Sequence, residues 1–156
     1  MKHLLPLAAI TLAACAPTTN TTTTSTPAAP GTNVEQGALK PPTPGEVTIH
    51  ISAAQNGQTV QVPVNQRFAV ELVGVPTAGY LWAPARMPPF LTRAGDATGD
   101  TSTQQSQPGF TGGNHWEVLM FAATGPGNGD LVLEQRRPWE HDQPATQTFR
   151  VTIVAR

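Results

Sequence analysis

The chain has 156 residues, 9 of them Lys or Arg against 10 Asp or Glu, for a formal net charge of −1. That balance leaves no basic stripe to neutralise phosphates and excludes nucleic acid as a partner. Only 12% of residues are charged, while Gly (14) and Pro (16) are abundant and Cys15 is the lone cysteine; such a chain is poor in helix formers, rich in turn formers and without an internal disulfide framework.

Met1-Lys2-His3 is a short positive start, followed by an apolar run from Leu4 to Ala14. The run is too short to span a bilayer as a helix but suits the apolar part of a secretory signal. It ends in Leu12-Ala13-Ala14-Cys15, the form of a bacterial lipobox: small residues fit the signal peptidase, and the thiol carries the lipid. Residues 1–14 are therefore expected to be a lipoprotein signal peptide, and Cys15 the lipidated first residue of the mature protein. The alternative is an ordinary signal peptide beside an incidental cysteine. Several acyl chains on one residue give stable anchoring where a single chain does not. Ala16 rather than Asp follows the cysteine, which points to the outer membrane in the envelope of a Gram-negative bacterium. Residues 16–45 are dominated by Thr, Pro, Ala and Gly and cannot offset their own ordering entropy. Residues 15–45 are read as the lipidated cysteine and a disordered tether, on the order of 30 Å root-mean-square if flexible.

From Glu46 the texture changes, and residues 46–156 form the expected domain. Val47, Ile49 and Ile51 alternate with polar residues, as a strand with one buried face does. Asn56-Gly57 marks a turn, Val60 and Val62 alternate again, and Phe68, Val70 and Leu72 repeat the period of two. Tyr80 to Trp82 reads as a short strand stopped by Pro84. Residues 92–114 read as a long polar, Gly-rich loop. Trp116 to Phe121 reads as a central strand covered on both sides, with the inward face undecided. Leu131 and Leu133 lead into Arg136-Arg137-Pro138-Trp139, and Phe149, Val151 and Ile153 form the last strand. Short strands at regular intervals with turn signals between them predict an all-β, two-sheet sandwich, large enough to fold without disulfides.

Catalysis finds little support. Ser25, Ser102 and Ser106 fall in polar stretches, His50 alternates with Val and Ile on a strand, and His141-Asp142 are adjacent rather than convergent. No spacing resembles a zinc site; no enzymatic activity, metal or cofactor is expected. Three turn-rich segments stand out instead. The first is Val75-Pro76-Thr77-Ala78-Gly79-Tyr80, in which Pro76 stiffens the turn and Gly79 permits a positive φ. The second is Gly109-Phe110-Thr111-Gly112-Gly113, and the third Arg137-Pro138-Trp139-Glu140. In an alternating sandwich every second connection falls at the same end, so the three are expected to cluster along one edge. Exposed, rigid Trp and Arg are frequent interface anchors. Trp139 alone is open to two readings, a loop-tip anchor or a core residue at a strand end.

In this order and between these strands, the segments resemble the three loops of the chagasin family: Asn-Pro-Thr-Thr-Gly-Tyr or -Phe, then Gly-x-Gly-Gly, then Arg-Pro-Trp or -Phe. The resemblance covers roughly residues 46–156, and Trp82 also fits the family's habit of a Trp after one further residue. It implies an immunoglobulin-like sandwich, a monomer, that inhibits papain-like cysteine peptidases reversibly and non-covalently by wedging three loops into the active-site cleft. By that analogy Pro76, Thr77, Ala78, Gly79 and Tyr80 sit over the catalytic Cys and His, and Phe110, Thr111, Gly112 and Gly113 run along the cleft. Arg137, Pro138 and Trp139 pack beside it. Two positions depart from the pattern: Val75 replaces the family Asn, and Phe110 stands where the first Gly is expected unless Gly109 fills that role. A different class of function fits the same residues, an envelope lipoprotein using this edge as a general protein-binding module.

Overall fold

The computed structural model describes residues 38–140 and 142–156; the readings of the leader, of Cys15, of the tether as far as residue 37 and of His141 lie outside them. The described chain is all β, with eight strands: β1 (Ile49–Ser52), β2 (Thr59–Val62), β3 (Arg67–Gly74), β4 (Leu81–Arg86), β5 (Leu91–Asp100), β6 (His115–Ala123), β7 (Gly127–Arg136) and β8 (Gln147–Ala155). One sheet has the order β1-β3-β6-β5 and the other β2-β8-β7-β4. β1 runs parallel to β3 and β2 parallel to β8; the remaining pairs are antiparallel.

The alternation seen in the sequence turns one set of side chains of each sheet inward. Phe68, Val70, Leu72, Leu119 and Phe121 from the first sheet meet Val62, Leu131, Leu133, Phe149, Val151 and Ile153 from the second in one buried core. The Phe68 and Phe121 rings stack at its centre, 5.6 Å between centroids. The result is an immunoglobulin-like sandwich. β6 is buried on both faces, and the inward one is now assigned: Leu119, Phe121 and Ala123 face the core, while Val118 and Met120 join Val47 and Ala69 in a second cluster on the outer face.

That outer face is covered by the chain's own approach to β1. Leu39 N–H donates to Thr101 O at 2.9 Å, the Trp116 indole donates to Leu39 O at 2.8 Å, and the Thr43 hydroxyl bonds Glu71. Pro42 lies over Gly99, where an added Cβ would come within 3.1 Å of it. Residues 38–45, assigned to the tether by composition, thus lie on the sheet as a strap. Prolines make such a segment look linker-like, but they also preset an extended path that needs few ladder hydrogen bonds.

Two expectations from the sequence are corrected. Pro84 does not stop a strand: β4 continues through it to Arg86, with a register irregularity between the two. β4 is an edge strand, and proline is tolerated where its missing N–H faces away from the ladder. Nor are residues 92–114 one loop, because Leu91–Asp100 form a strand that pairs with β6 from Leu91↔Ala123 to Asp100↔His115. β5 is also an edge strand, largely exposed, with a break at Gly95 (φ 131°). Its pairing is supplied by β6 rather than by an apolar pattern of its own. Charged residues on both of these edge strands, a proline in β4 and a bulge in β5 are usual defences against edge-to-edge association.

Register places the connections. Gly74 and Asp100 both lie opposite His115, Leu81 lies opposite Arg136, and Gln135 opposite Gln147. Segments 75–80, 101–114 and 137–146 therefore emerge from the same end of the sandwich.

Candidate functional site

The first of these segments is a single 3-10 turn, Pro76–Ala78, closed by Gly79 in the left-handed region at φ 82°. Val75 O accepts from Ala78 N–H at 3.0 Å and Tyr80 N–H at 3.3 Å, and Gly79 N–H donates to Pro76 O at 2.8 Å. Proline at the first helical position presets φ and leaves one fewer donor to satisfy. Thr77 and Ala78 are exposed at the tip, while Pro76 and Tyr80 are half-buried. Val75 makes no side-chain cap hydrogen bond, so within its own segment the turn is held by backbone alone.

The third segment locks onto the first. Arg137 donates through Nε to Ala78 O at 2.9 Å, and its guanidinium sits 4.5 Å from the centroid of the Tyr80 ring. Its Nη1 also donates to Glu140 Oε1 at 2.9 Å. That Glu140 bond, against some desolvation and with Tyr80 alongside, holds the Arg137 pKa above its ordinary value, so the group is a fixed cation. Pro138 and Trp139 form the corner of a turn closed by Glu140 N–H donating to Arg137 O at 3.0 Å. The Trp139 side chain is 64% exposed. Its ring lies against Gly79, where an added Cβ would come within 2.4 Å of Cη2. Glycine at 79 is thus required twice, for its φ and for the indole laid across it.

The second segment begins with a 3-10 turn, Thr103–Ser106. Gln105 pins its root: the side-chain oxygen accepts from Thr101 N–H (2.7 Å) and Ser102 N–H (3.0 Å), and the amide donates to Asn114 O (2.8 Å). Gly109, Gly112 and Gly113 all have positive φ (85°, 82° and 103°). Phe110 is 43% exposed, yet its ring folds back towards Gly113, where an added Cβ would approach Cε1 to 3.2 Å. Thr111 and Gly112 are exposed. The structure therefore joins Pro76–Tyr80 and Arg137–Trp139 into one unit and sets Phe110–Gly113 at the same end on its own support.

Glu117 is a residue that the sequence reading passed over. It is 6% exposed, and its Oε2 accepts the backbone N–H of Trp82 at 2.9 Å. Burial pushes its pKa up, opposed by the Trp82 hydrogen bond and by His115. The signal was available: a carboxylate inside a run covered on both faces needs a dedicated partner.

Among the described residues no group of three or more His, Cys, Asp or Glu converges as a metal site. His50 bonds Glu71 through Nδ1 at 2.6 Å, and Ser52 caps the turn Ala53–Gln55.

Fold and edge together define a class: a β-sandwich that presents stiff loops from one end. A family model, Chagasin family peptidase inhibitor I42, matches residues 61–153. The chain belongs to this family and is a peptidase inhibitor rather than an enzyme. Solved structures show the same fold. The cysteine protease inhibitor EhICP2 from Entamoeba histolytica is 17% identical with a TM-score of 0.60, over 73% of this chain and 100% of that one. Amebosin is 24% identical with a TM-score of 0.55, over 69% of this chain and 97% of that one. No curated protein sequence matches.

Proposed function

We propose that this edge blocks the active-site cleft of a papain-like cysteine peptidase, reversibly and without a covalent bond. The observation that carries the reading is the union of two loops through Arg137, with Ala78 O and the Tyr80 ring as its partners and Trp139 left 64% exposed beside them. Cysteine peptidases are the class that EhICP2 is named for inhibiting, and family membership extends that class to this chain. A blocking edge that is already formed loses little conformational entropy on binding. The 3-10 turn, Pro76, Pro138 and the sandwich behind them supply that stiffness. Thr77 and Ala78 form the leading tip over the catalytic pair, Phe110–Gly113 line the cleft, and Trp139 packs on its apolar rim.

The protein without its leader is expected to inhibit papain, to emerge uncleaved after long incubation, and to leave trypsin untouched. Val75→Asn supplies an N-cap side chain able to accept from the Thr77 N–H at the second position of the turn, and is expected to lower the inhibition constant several-fold. Failure against a broad panel of papain-like enzymes would replace this reading with that of a general binding module.

The same reading places the inhibitor on a membrane through a lipid on Cys15, supported by Leu12-Ala13-Ala14-Cys15. In a lipoprotein-competent bacterium the full chain is expected to incorporate labelled fatty acid and to sediment with membranes. Cys15→Ala is expected to lose both; a wild-type product released with an N-terminus beyond residue 15 would overturn the anchor.

A further inference from the structure

Glu117 lies two residues beyond His115, where the Gly-rich loop ends and β6 begins. The Trp82 amide that it accepts belongs to β4, two residues past Tyr80. Trp82 is held a second time, through its indole, which donates to Val73 O at 3.0 Å just before the first loop. One carboxylate of the first sheet therefore reaches the edge strand of the second, and the two roots that it joins carry different loops. Gly74 makes the room: a Cβ there would stand 1.7 Å from Glu117 Oε1. That same Oε1 is buried with no hydrogen-bond partner.

We propose that Glu117 is a positioning residue of the inhibitory edge: its carboxyl fastens the root of the first loop to the root of the Gly-rich loop, and burying that carboxyl with one oxygen unpartnered couples the stability of the domain to its protonation. The functional half of this inference rests on the peptidase-blocking reading; the fastening itself does not.

The surroundings favour the neutral form. A cleft of about 170 Å³ between the free edges of β4 and β5 reaches Glu117 and is also lined by Arg93 and Asp96 of β5. Arg93 is committed to Asp96 and lies over the Phe121 ring, 5.4 Å from its centroid. His115 on β6 is 3.5 Å from Asp100 of β5. From β3, Gly74 lies against the carboxyl and Leu72 is the register partner of Glu117; from β4 comes the Trp82 backbone N–H. An ionised carboxylate here leaves one oxygen desolvated and unpaired, the costly case; a protonated one keeps the Trp82 acceptor and sheds the charge. Burial accordingly raises the pKa above its ordinary 4.5. The folded state thus binds the proton more tightly than the unfolded one. Stability from this group is complete below the unfolded value and is lost as pH rises through the folded value.

The test compares the leaderless wild type with Glu117→Gln and Glu117→Ala. Gln keeps an acceptor oxygen without a charge; Ala removes the acceptor. In Glu117→Ala, amide exchange at Trp82 and in the first loop is expected to speed up by on the order of tenfold or more, with β8 unchanged. Glu117→Gln should keep wild-type protection. Denaturant unfolding should show wild-type stability falling with rising pH above about 4.5 relative to Glu117→Gln, in which that component is absent. Papain inhibition should weaken in Glu117→Ala and be restored in Glu117→Gln. Unchanged exchange at Trp82 in Glu117→Ala, or the same pH slope in Glu117→Gln as in wild type, would overturn the proposal. Should Glu117→Ala fail to fold, the pH slope of Glu117→Gln decides alone. If no papain-like enzyme is inhibited while exchange and pH behave as expected, the peptidase reading fails and the fastening stands.

Discussion

Replacing Trp139 by alanine is expected to raise the inhibition constant by roughly 30- to 1,000-fold, the cost of truncating an interface anchor. Unfolding stability should change by less than about 1 kcal/mol, as for other surface substitutions. The two expectations separate the readings that the sequence leaves open. A core tryptophan would lose about 3–5 kcal/mol of stability on truncation, with normal inhibition by whatever remained folded. The structure favours the first outcome: Trp139 is 64% exposed and its ring rests on Gly79. An indole held across a glycine has little rotamer freedom left to lose on binding, and its area is still in water. Denaturant unfolding and the inhibition constant, measured on one preparation, decide the matter. A large loss of stability with folded-state affinity intact would remove Trp139 from the inhibitory edge.

Where the sequence read well, one physical signal sufficed. Phe68, Val70 and Leu72, or Phe149, Val151 and Ile153, alternate because one face of each strand meets the core, and all six are buried. β5 carries no such signal. It hydrogen-bonds along β6 from Leu91 to Asp100 while only Leu91 of its side chains is fully buried, so pattern reading takes it for a loop. Pro84 misleads for a related reason: its missing donor matters only in a strand paired on both sides, and β4 is paired on one. The strap at residues 38–45 is invisible to composition because its hold on the sheet is a few hydrogen bonds and a proline contact.

The candidate edge was legible as three segments, through their resemblance to a family, but not as a mechanism of stiffness. Arg137 could be noticed as an exposed cation beside Trp139; that it spans from Glu140 to Ala78 O and covers the Tyr80 ring is a long-range fact. Phe110 reads as added bulk in a flat loop, whereas its ring folds back over Gly113. Glu117 was hidden by its neighbours, because a run averaging apolar conceals one carboxylate bonded 35 residues away in sequence.

Phe121→Ala is expected to do the reverse of Trp139→Ala. Phe121 is fully buried on the inward face of β6, which is paired with β3 on one side and β5 on the other. Its ring stacks on Phe68 at 5.6 Å and carries the Arg93 guanidinium 5.4 Å from its centroid. Truncation opens a cavity where both sheets contribute walls, and such losses run to about 3–5 kcal/mol. Against a total stability of about 5–15 kcal/mol for a domain, that fraction is large enough to shift the unfolding midpoint well down while the transition stays cooperative. The loops are held by their own turn hydrogen bonds, by Arg137 and Gln105, and at their roots by Glu117. Inhibition per folded molecule should therefore stay within a few-fold of wild type. A stability loss under about 1 kcal/mol would show that Phe121 is not the centre of the core. An inhibition constant rising as steeply as for Trp139→Ala, with the fraction folded accounted for, would show that the edge takes its shape from core packing rather than from its own bonds.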